Sequence, residues 1–211
     1  LIPRFIGILN KQNGIVIEFV NGPTLNNIKK IKLEHDEILS IIYELILIVQ
    51  YFHDNKYIYR DLKPNNIIVN ENKATTLVDY DRMIDDIIAQ NSTDHTDIFS
   101  SDFVAPEVNT GNFSNKCDIY SLGKIIEFII KEVPHIISKN KFLTELYKKC
   151  INFDPQKRPP ITEIINEFYD KYCLSNIDIE KYYLVTQSMK VNTKDENYHY
   201  KLGLFYLCKS N

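Results

Sequence analysis

The run Tyr59-Arg60-Asp61-Leu62-Lys63-Pro64-Asn65-Asn66, followed thirteen positions after Asn66 by Asp79, constrains this chain more than any other feature. Two short β-rich stretches, Ile67–Val69 and Thr75–Val78, stand between Asn66 and Asp79, joined by the turn-prone Asn70-Glu71-Asn72-Lys73. Asn66 begins the first stretch and Asp79 ends the second, so a hairpin returns their side chains to one edge. A carboxylate base, a cation and two oxygen donors suited to a hard metal ion thus gather round a single hairpin. A lone Arg-Asp pair carries little information, and a solvated turn with coincidental charges would explain it. Eight ordered residues with a correctly spaced second Asp carry far more.

The run resembles the catalytic loop of the protein kinases, H/Y-R-D-L-K-P-x-N, and Asp79-Tyr80-Asp81 resembles that family's D-F-G motif. The resemblance implies phosphoryl transfer from ATP with Mg²⁺, a reaction in which protein supplies positioning and charge rather than covalent chemistry. By that match Asp61 orients or deprotonates the acceptor hydroxyl, and Lys63 faces the transferred phosphate. Asn66 offers a neutral oxygen to one Mg²⁺, and Asp79 a charged one that bridges the metals. Lys63 places the resemblance in the serine/threonine class, with protein hydroxyls as acceptors.

Further positions match the same family. Ala105-Pro106-Glu107 resembles A-P-E, eleven residues before Asp118 in a stretch resembling D-x-x-S-x-G, and Arg158 matches the Arg that pairs with that Glu. A partly buried Glu107–Arg158 pair fixing the substrate platform is expected. Ile15–Gly22 resembles the hinge that reads adenine: Glu18 carbonyl and Val20 amide bonding the base, Ile17 behind it, and Ile68 beneath. Read bare, that stretch is a strand ending in a turn, and Ile68 is a core residue. Arg60 before the catalytic Asp implies control by loop phosphorylation, with Ser92, Thr93, Thr96, Ser100 and Ser101 as candidate hydroxyls. Ser100, five residues before Ala105, is assigned a structural role near Asp61.

The departures are as specific as the matches. Tyr59 replaces His and keeps an aromatic packing role. Asp81 replaces Gly, at a cost of roughly 1 kcal/mol if φ is positive there, and adds charge beside Asp79. Asn65 stands where basic-directed kinases carry Glu, so no basic-substrate preference is expected. No G-x-G-x-x-G, V-A-I-K lysine or partner-helix Glu precedes Phe5, before which the chain supplies four residues. The resemblance covers about residues 4–173, and the expectation is an inactive fragment of an active parent.

The element pattern agrees with a hinge and a mainly helical lobe. Runs Phe5–Leu9 and Ile15–Val20 flank Asn13-Gly14, the signal of a β-hairpin. A short helix over about Thr24–Lys30 is read with Thr24 as its cap. Apolar residues at helical spacing over Asp36–Asn55 predict a long helix, with others over Cys117–Lys131, Lys141–Ile151 and Thr162–Tyr172. Residues 81–104 are polar and show no clear periodicity. The fold class read from this order is α+β: a mainly helical large lobe, a residual N-lobe β-hairpin and a catalytic-loop β-hairpin, occupying residues 1–173.

Composition narrows the function classes. The 211 residues are 44% apolar, enough for one substantial core, and a net charge of −3 gives no basic field for nucleic acid. Cys117, Cys150, Cys173 and Cys208 form no C-x-x-C pair, so neither zinc nor a disulfide framework is read. The most apolar window, Ile38–Val49, is interrupted by Ser40 and Glu44 and is too short to span a membrane. A cytoplasmic chain with no membrane partner is the expectation.

Over residues 174–211 the composition shifts. Ile179–Met189 and Tyr198–Cys208 read as helices, and Leu202-Gly203-Leu204-Phe205-Tyr206 resembles the core of Sel-one-like and tetratricopeptide-type repeats. The resemblance implies the start of a partner-binding array, since one repeat cannot bury its own face. An ordinary amphipathic helix is the plainer reading. Two rivals to an active protein kinase also stay open: a catalytically dead pseudokinase scaffold, favoured by Asp81, and a kinase-fold small-molecule phosphotransferase.

Overall fold

The apolar residues Ile38, Ile41, Ile42, Leu45, Ile48, Val49 and Phe52, spaced three or four apart, form the buried face of helix α1 (His35–Asp54). The structure, a computed structural model, describes residues 2–9, 14–91 and 101–172. The start of α1 is fixed by the Glu37 carboxylate, which accepts the Glu34 amide at 2.8 Å. At its end the Asn55 side-chain amide donates to the Tyr51 carbonyl at 2.8 Å.

Strands β1 (Phe5–Leu9) and β2 (Gly14–Ile17) form an antiparallel hairpin in which Phe5 faces Ile17 and Leu9 faces Gly14. Its turn lies outside the described residues. The second strand is shorter than its apolar run, because Ile17 already faces the first residue of β1. Beyond it the pairing shrinks to one bond, Glu18 amide to Arg4 carbonyl at 2.8 Å. This hairpin, Pro3–Phe19, is a unit separate from the body over Val20–Lys171.

The body begins with a 3-10 turn, Leu25–Lys30, that buries Leu25 and Ile28. Thr24 precedes it but its hydroxyl does not cap an amide; instead Thr24 makes an isolated β-bridge to Ile68. At this N-cap position the Thr24 hydroxyl accepts the Asn27 side-chain amide at 3.4 Å rather than a main-chain one. Strand β3 (Tyr57–Ile58) follows α1, and β4 (Ile67–Val69) pairs antiparallel with β5 (Thr75–Leu77), Ile67 facing Leu77.

Residues 81–104 hold more structure than their polarity suggests. Strand β6 (Ile84–Asp85) pairs with β3, and helix α2 (Asp86–Asn91) follows, its first amides drawn to the Lys56 carbonyl and the Asp85 carboxylate at 2.8 Å each. Two strand residues and six helical ones are too few to register a period. Long-range pairing creates them.

Helices α3 (Asn115–Glu132), α4 (Pro134–Ile137), α5 (Lys141–Cys150) and α6 (Ile161–Tyr172) complete the body. Helices α1 and α5 both pack on α3. The approach of α5 to α3 depends on Gly123, where an added Cβ would lie 2.5 Å from that of Cys150. Phe168 of α6, fully buried, stacks on Tyr43 of α1 with ring centroids 5.6 Å apart. The architecture is α+β and mainly helical, with no helix among the described residues long and apolar enough to cross a membrane. The repeat-like tail and Cys173 and Cys208 lie outside the described residues.

Candidate active site

The loop between β3 and β4 is shaped by one buried carboxylate. Asp118, in the first turn of α3 and fully buried, accepts the Tyr59 and Arg60 amides at 2.9 Å each. These bonds hold Arg60 at φ +68°, a conformation that L residues rarely adopt. His53 of α1 stands 3.0 Å from the same carboxylate, so α1 and α3 are joined at the root of the loop. The Arg60 side chain donates to the Arg82 carbonyl at 2.5 Å and lies over the Phe113 ring, 4.8 Å from its centroid.

Asp61 follows, 7% exposed, so its charge needs local partners. Lys63 Nζ stands 2.7 Å from Asp61 Oδ2, and Asn66 Nδ2 donates to Oδ2 and to the Asp61 carbonyl, each at 3.0 Å. Pro64 starts a short 3-10 turn that brings Asn66 back under Asp61. With its nitrogen committed to Asp61, Asn66 has its carbonyl oxygen Oδ1 to offer a cation. Past β5, the Val78 amide donates to the Asn66 carbonyl at 2.9 Å, so the hairpin stays closed up to Asp79.

Asp79 has φ +66°. The Tyr59 hydroxyl donates to the carbonyls of Val78 and Asp79 at 2.5 and 2.8 Å, clamping that conformation. Burial, above all, pushes the Tyr59 phenol well above its ordinary pKa, with Tyr80 and Asp61 adding to the shift. The hydroxyl therefore remains a donor. Tyr59 stacks on Phe52 at 5.9 Å and meets Tyr80 edge-on at 5.9 Å, so it packs and bonds at once.

Glu107 and Arg158 meet in a two-pronged ion pair, Nη1–Oε1 2.5 Å and Nη2–Oε2 2.8 Å. Arg158, 1% exposed, also donates to the carbonyls of Asn152 and Lys116 at 2.8 and 2.9 Å. The pair ties the turn Pro106–Thr110 to the loop before α6 and to the start of α3.

Of the hinge residues, Ile17 and Glu18 stand in the separate hairpin, with Ile17 42% exposed. Val20 and Ile68 are half-buried in the body, Ile68 on the face of β4 opposite the buried Ile67 and Val69. Ser92, Thr93, Thr96 and Ser100 lie outside the described residues. Ser101 is described, its hydroxyl oxygen accepting the Phe103 amide at 3.3 Å.

Two participants escaped the motif reading: His53, an unremarked residue of α1, and the Tyr59 hydroxyl. Glu44 was visible only as an interruption of an apolar window, and an acid inside a helix's apolar stripe was the available signal.

Residues 2–142, two thirds of the chain, match the protein kinase domain model. The chain belongs to the protein kinase family. A probable serine/threonine-protein kinase of Dictyostelium discoideum is 29% identical, covering 77% of this chain and 45% of the relative. Mitogen-activated protein kinase kinase 2 of Arabidopsis thaliana is 24% identical, covering 82% of the chain and 57% of the relative. Serine/threonine-protein kinase PAK 1 of the mouse is 26% identical, over 79% and 31%. This kinase chain thus spans about half the length of the first two relatives and less of the third.

The residues of the kinase loop suit a nucleotide-bound Mg²⁺. Asn66 Oδ1 and the Asp79 carboxylate are hard oxygen donors at the two ends of one hairpin, and Lys63 adds a cation on the Asp61 carboxylate that Asn66 also bonds.

Proposed function

We propose that the protein transfers the γ-phosphoryl group of ATP to serine or threonine hydroxyls of protein substrates. The observation that carries this reading is the Asp61 carboxylate, held on Oδ2 by both Lys63 and Asn66. Both neighbours engage one oxygen, and Oδ1 is the one that would meet the acceptor hydroxyl. In the transfer the hydroxyl oxygen bonds to the γ-phosphorus, its proton passes to Asp61, and the bond to the β-phosphate oxygen breaks to release ADP. Lys63 neutralises charge on the transferred group. Mg²⁺, held by Asn66 and Asp79, would shield the phosphates and set their orientation. The Glu107–Arg158 pair would brace the platform on which a protein substrate lies, and loop phosphorylation against Arg60 would regulate it. By its own match to the hinge pattern, each of Ile17, Glu18, Val20 and Ile68 would have an adenine-contacting role, and the repeat-like tail would recruit partners.

The test uses the full-length protein with labelled ATP, Mg²⁺ and casein as acceptor. The expected result is labelled Ser or Thr, reduced at least about a hundredfold in Asp61→Ala. The second reading, a scaffold without catalysis, is favoured by Asp81 in the third position of the Asp79 motif. No Mg²⁺-dependent turnover by the unmutated protein would establish it. Label on an aminoglycoside or choline but on no protein would instead make the substrate a small molecule.

A further inference from the structure

Glu44 is 4% exposed and sits in the apolar stripe of α1, beside Ile41, Ile42, Leu45 and Ile48. A buried carboxylate is costly unless it is used, and Leu would fill that stripe. Its use is specific: Oε2 accepts the Thr75 amide at 2.6 Å. Thr75 opens β5, the second strand of a two-stranded sheet, and a two-stranded hairpin is marginal by itself. On the other side β4 is secured by the Pro23 carbonyl, which accepts the Val69 amide at 3.0 Å, and by the bridge from Thr24 to Ile68. Glu44 does the same for β5.

That sheet carries Asn66 at its entry and Asp79 beyond its exit. Helix α1 also bears His53, which reaches the loop around Asp61 through Asp118. Glu44 and His53 are nine residues apart, about 13 Å along one rigid helix. One helix therefore reaches the loop that carries Asp61 by way of Asp118, and the hairpin between Asn66 and Asp79 by way of the Thr75 amide.

We propose that Glu44 is a positioning residue: acting through the Thr75 amide, its carboxylate sets where Asn66 and Asp79 stand relative to Asp61, and so sets the metal requirement. The proposal rests on the phosphotransfer reading for its kinetic readout, but not for its binding readout.

The experiment compares full-length protein with Glu44→Gln, which keeps an acceptor oxygen, and Glu44→Leu, which keeps only the bulk. Three quantities are measured: Mg²⁺ giving half-maximal turnover at saturating ATP, Mn²⁺ bound with a non-hydrolysable ATP analogue by electron paramagnetic resonance, and the unfolding temperature. Glu44→Leu should raise the Mg²⁺ requirement and weaken Mn²⁺ binding about tenfold, as loss of a residue supporting metal ligands does. Glu44→Gln should recover both to within about twofold. If Glu44→Leu does not fold, Glu44→Asp, with its oxygen withdrawn by one methylene, is read in the same way. A folded Leu or Asp variant with unchanged metal requirement and Mn²⁺ binding overturns the proposal, whatever its unfolding temperature. If the unmutated protein binds Mn²⁺ with nucleotide but transfers no phosphate, the phosphotransfer reading fails and the Mn²⁺ comparison alone decides Glu44. Absence of nucleotide-dependent Mn²⁺ binding in the unmutated protein overturns both.

Discussion

The Tyr59 hydroxyl reaches across the loop to the main-chain carbonyl of Asp79, 2.8 Å away, and to that of Val78 at 2.5 Å. It anchors a residue whose φ of +66° is disfavoured by about 1 kcal/mol for a side chain of this kind. The loop that carries Asp61 and the segment that carries Asp79 are therefore linked through Tyr59, whose main-chain amide is in turn held by Asp118.

Tyr59→Phe should keep the stack on Phe52 and lose the clamp. The expected outcome is a stability loss of about 1 kcal/mol in urea unfolding and a roughly fivefold fall in turnover. The clamp should also be insensitive to pH across the neutral range. With the folded pKa raised by burial, its stabilisation is complete below the ordinary tyrosine range and fades only as pH climbs through that range and above. Unfolding measured from pH 6 to 11 checks this, and a loss already at pH 8 would contradict it.

Removing one partner of the Glu107–Arg158 pair leaves a charge stranded among groups that water does not reach. Arg158→Ala should cost about 3–5 kcal/mol, and Glu107→Gln somewhat less, because its amide oxygen still accepts. Arg158→Lys should not rescue, since a single ammonium cannot reproduce the two parallel bonds or those to Asn152 and Lys116. Chemical denaturation of the three variants, with the Arg158→Ala/Glu107→Gln double variant to isolate the coupling, measures it.

How far these features were legible follows from their range. Asp61, Lys63 and Asn66 lie within six residues, so local order carried them into contact. The face of α1 was legible because seven apolar residues repeat at helical spacing. The contacts of His53 with Asp118 and Glu44 with Thr75 span 65 and 31 positions, and no local pattern encodes them. The pairing of β3 with β6 is of the same kind: two residues on each side, visible only once α1 has set the first. Thr24 stands at the N-cap position its residue type predicts, yet its hydroxyl takes the Asn27 side chain and not a main-chain amide.

The buried thiols supply a third prediction. Burial pushes Cys150 up to about 12 and Cys117 higher still, so neither is a thiolate near neutrality. Native protein at pH 8 should leave both unlabelled by iodoacetamide over a time in which urea-unfolded protein reacts fully, as read by peptide mass spectrometry. The sign of the linkage is fixed. Because the folded values are raised, this contribution is whole below the ordinary thiol pKa of about 8.5 and is lost as pH rises beyond it.

Gly22 yields the most local test of the loop that leads into the body. It has φ +151°, and a Cβ there would lie 2.4 Å from the Val69 carbonyl oxygen and 2.9 Å from its carbon, both backbone atoms that cannot turn aside. Val69 ends β4, whose amide is already committed to the Pro23 carbonyl at 3.0 Å. Gly22→Ala must therefore push this segment off the sheet edge, breaking that bond along with the Thr24–Ile68 bridge. A loss of about 2 kcal/mol or more is expected, above the few tenths of an exposed surface change. Amide exchange should locate it, with the Val69 amide losing protection in Gly22→Ala while amides in α3 and α5 keep theirs. Uniform loss of protection across the body would mean that the segment is part of the global folding unit rather than a separable edge.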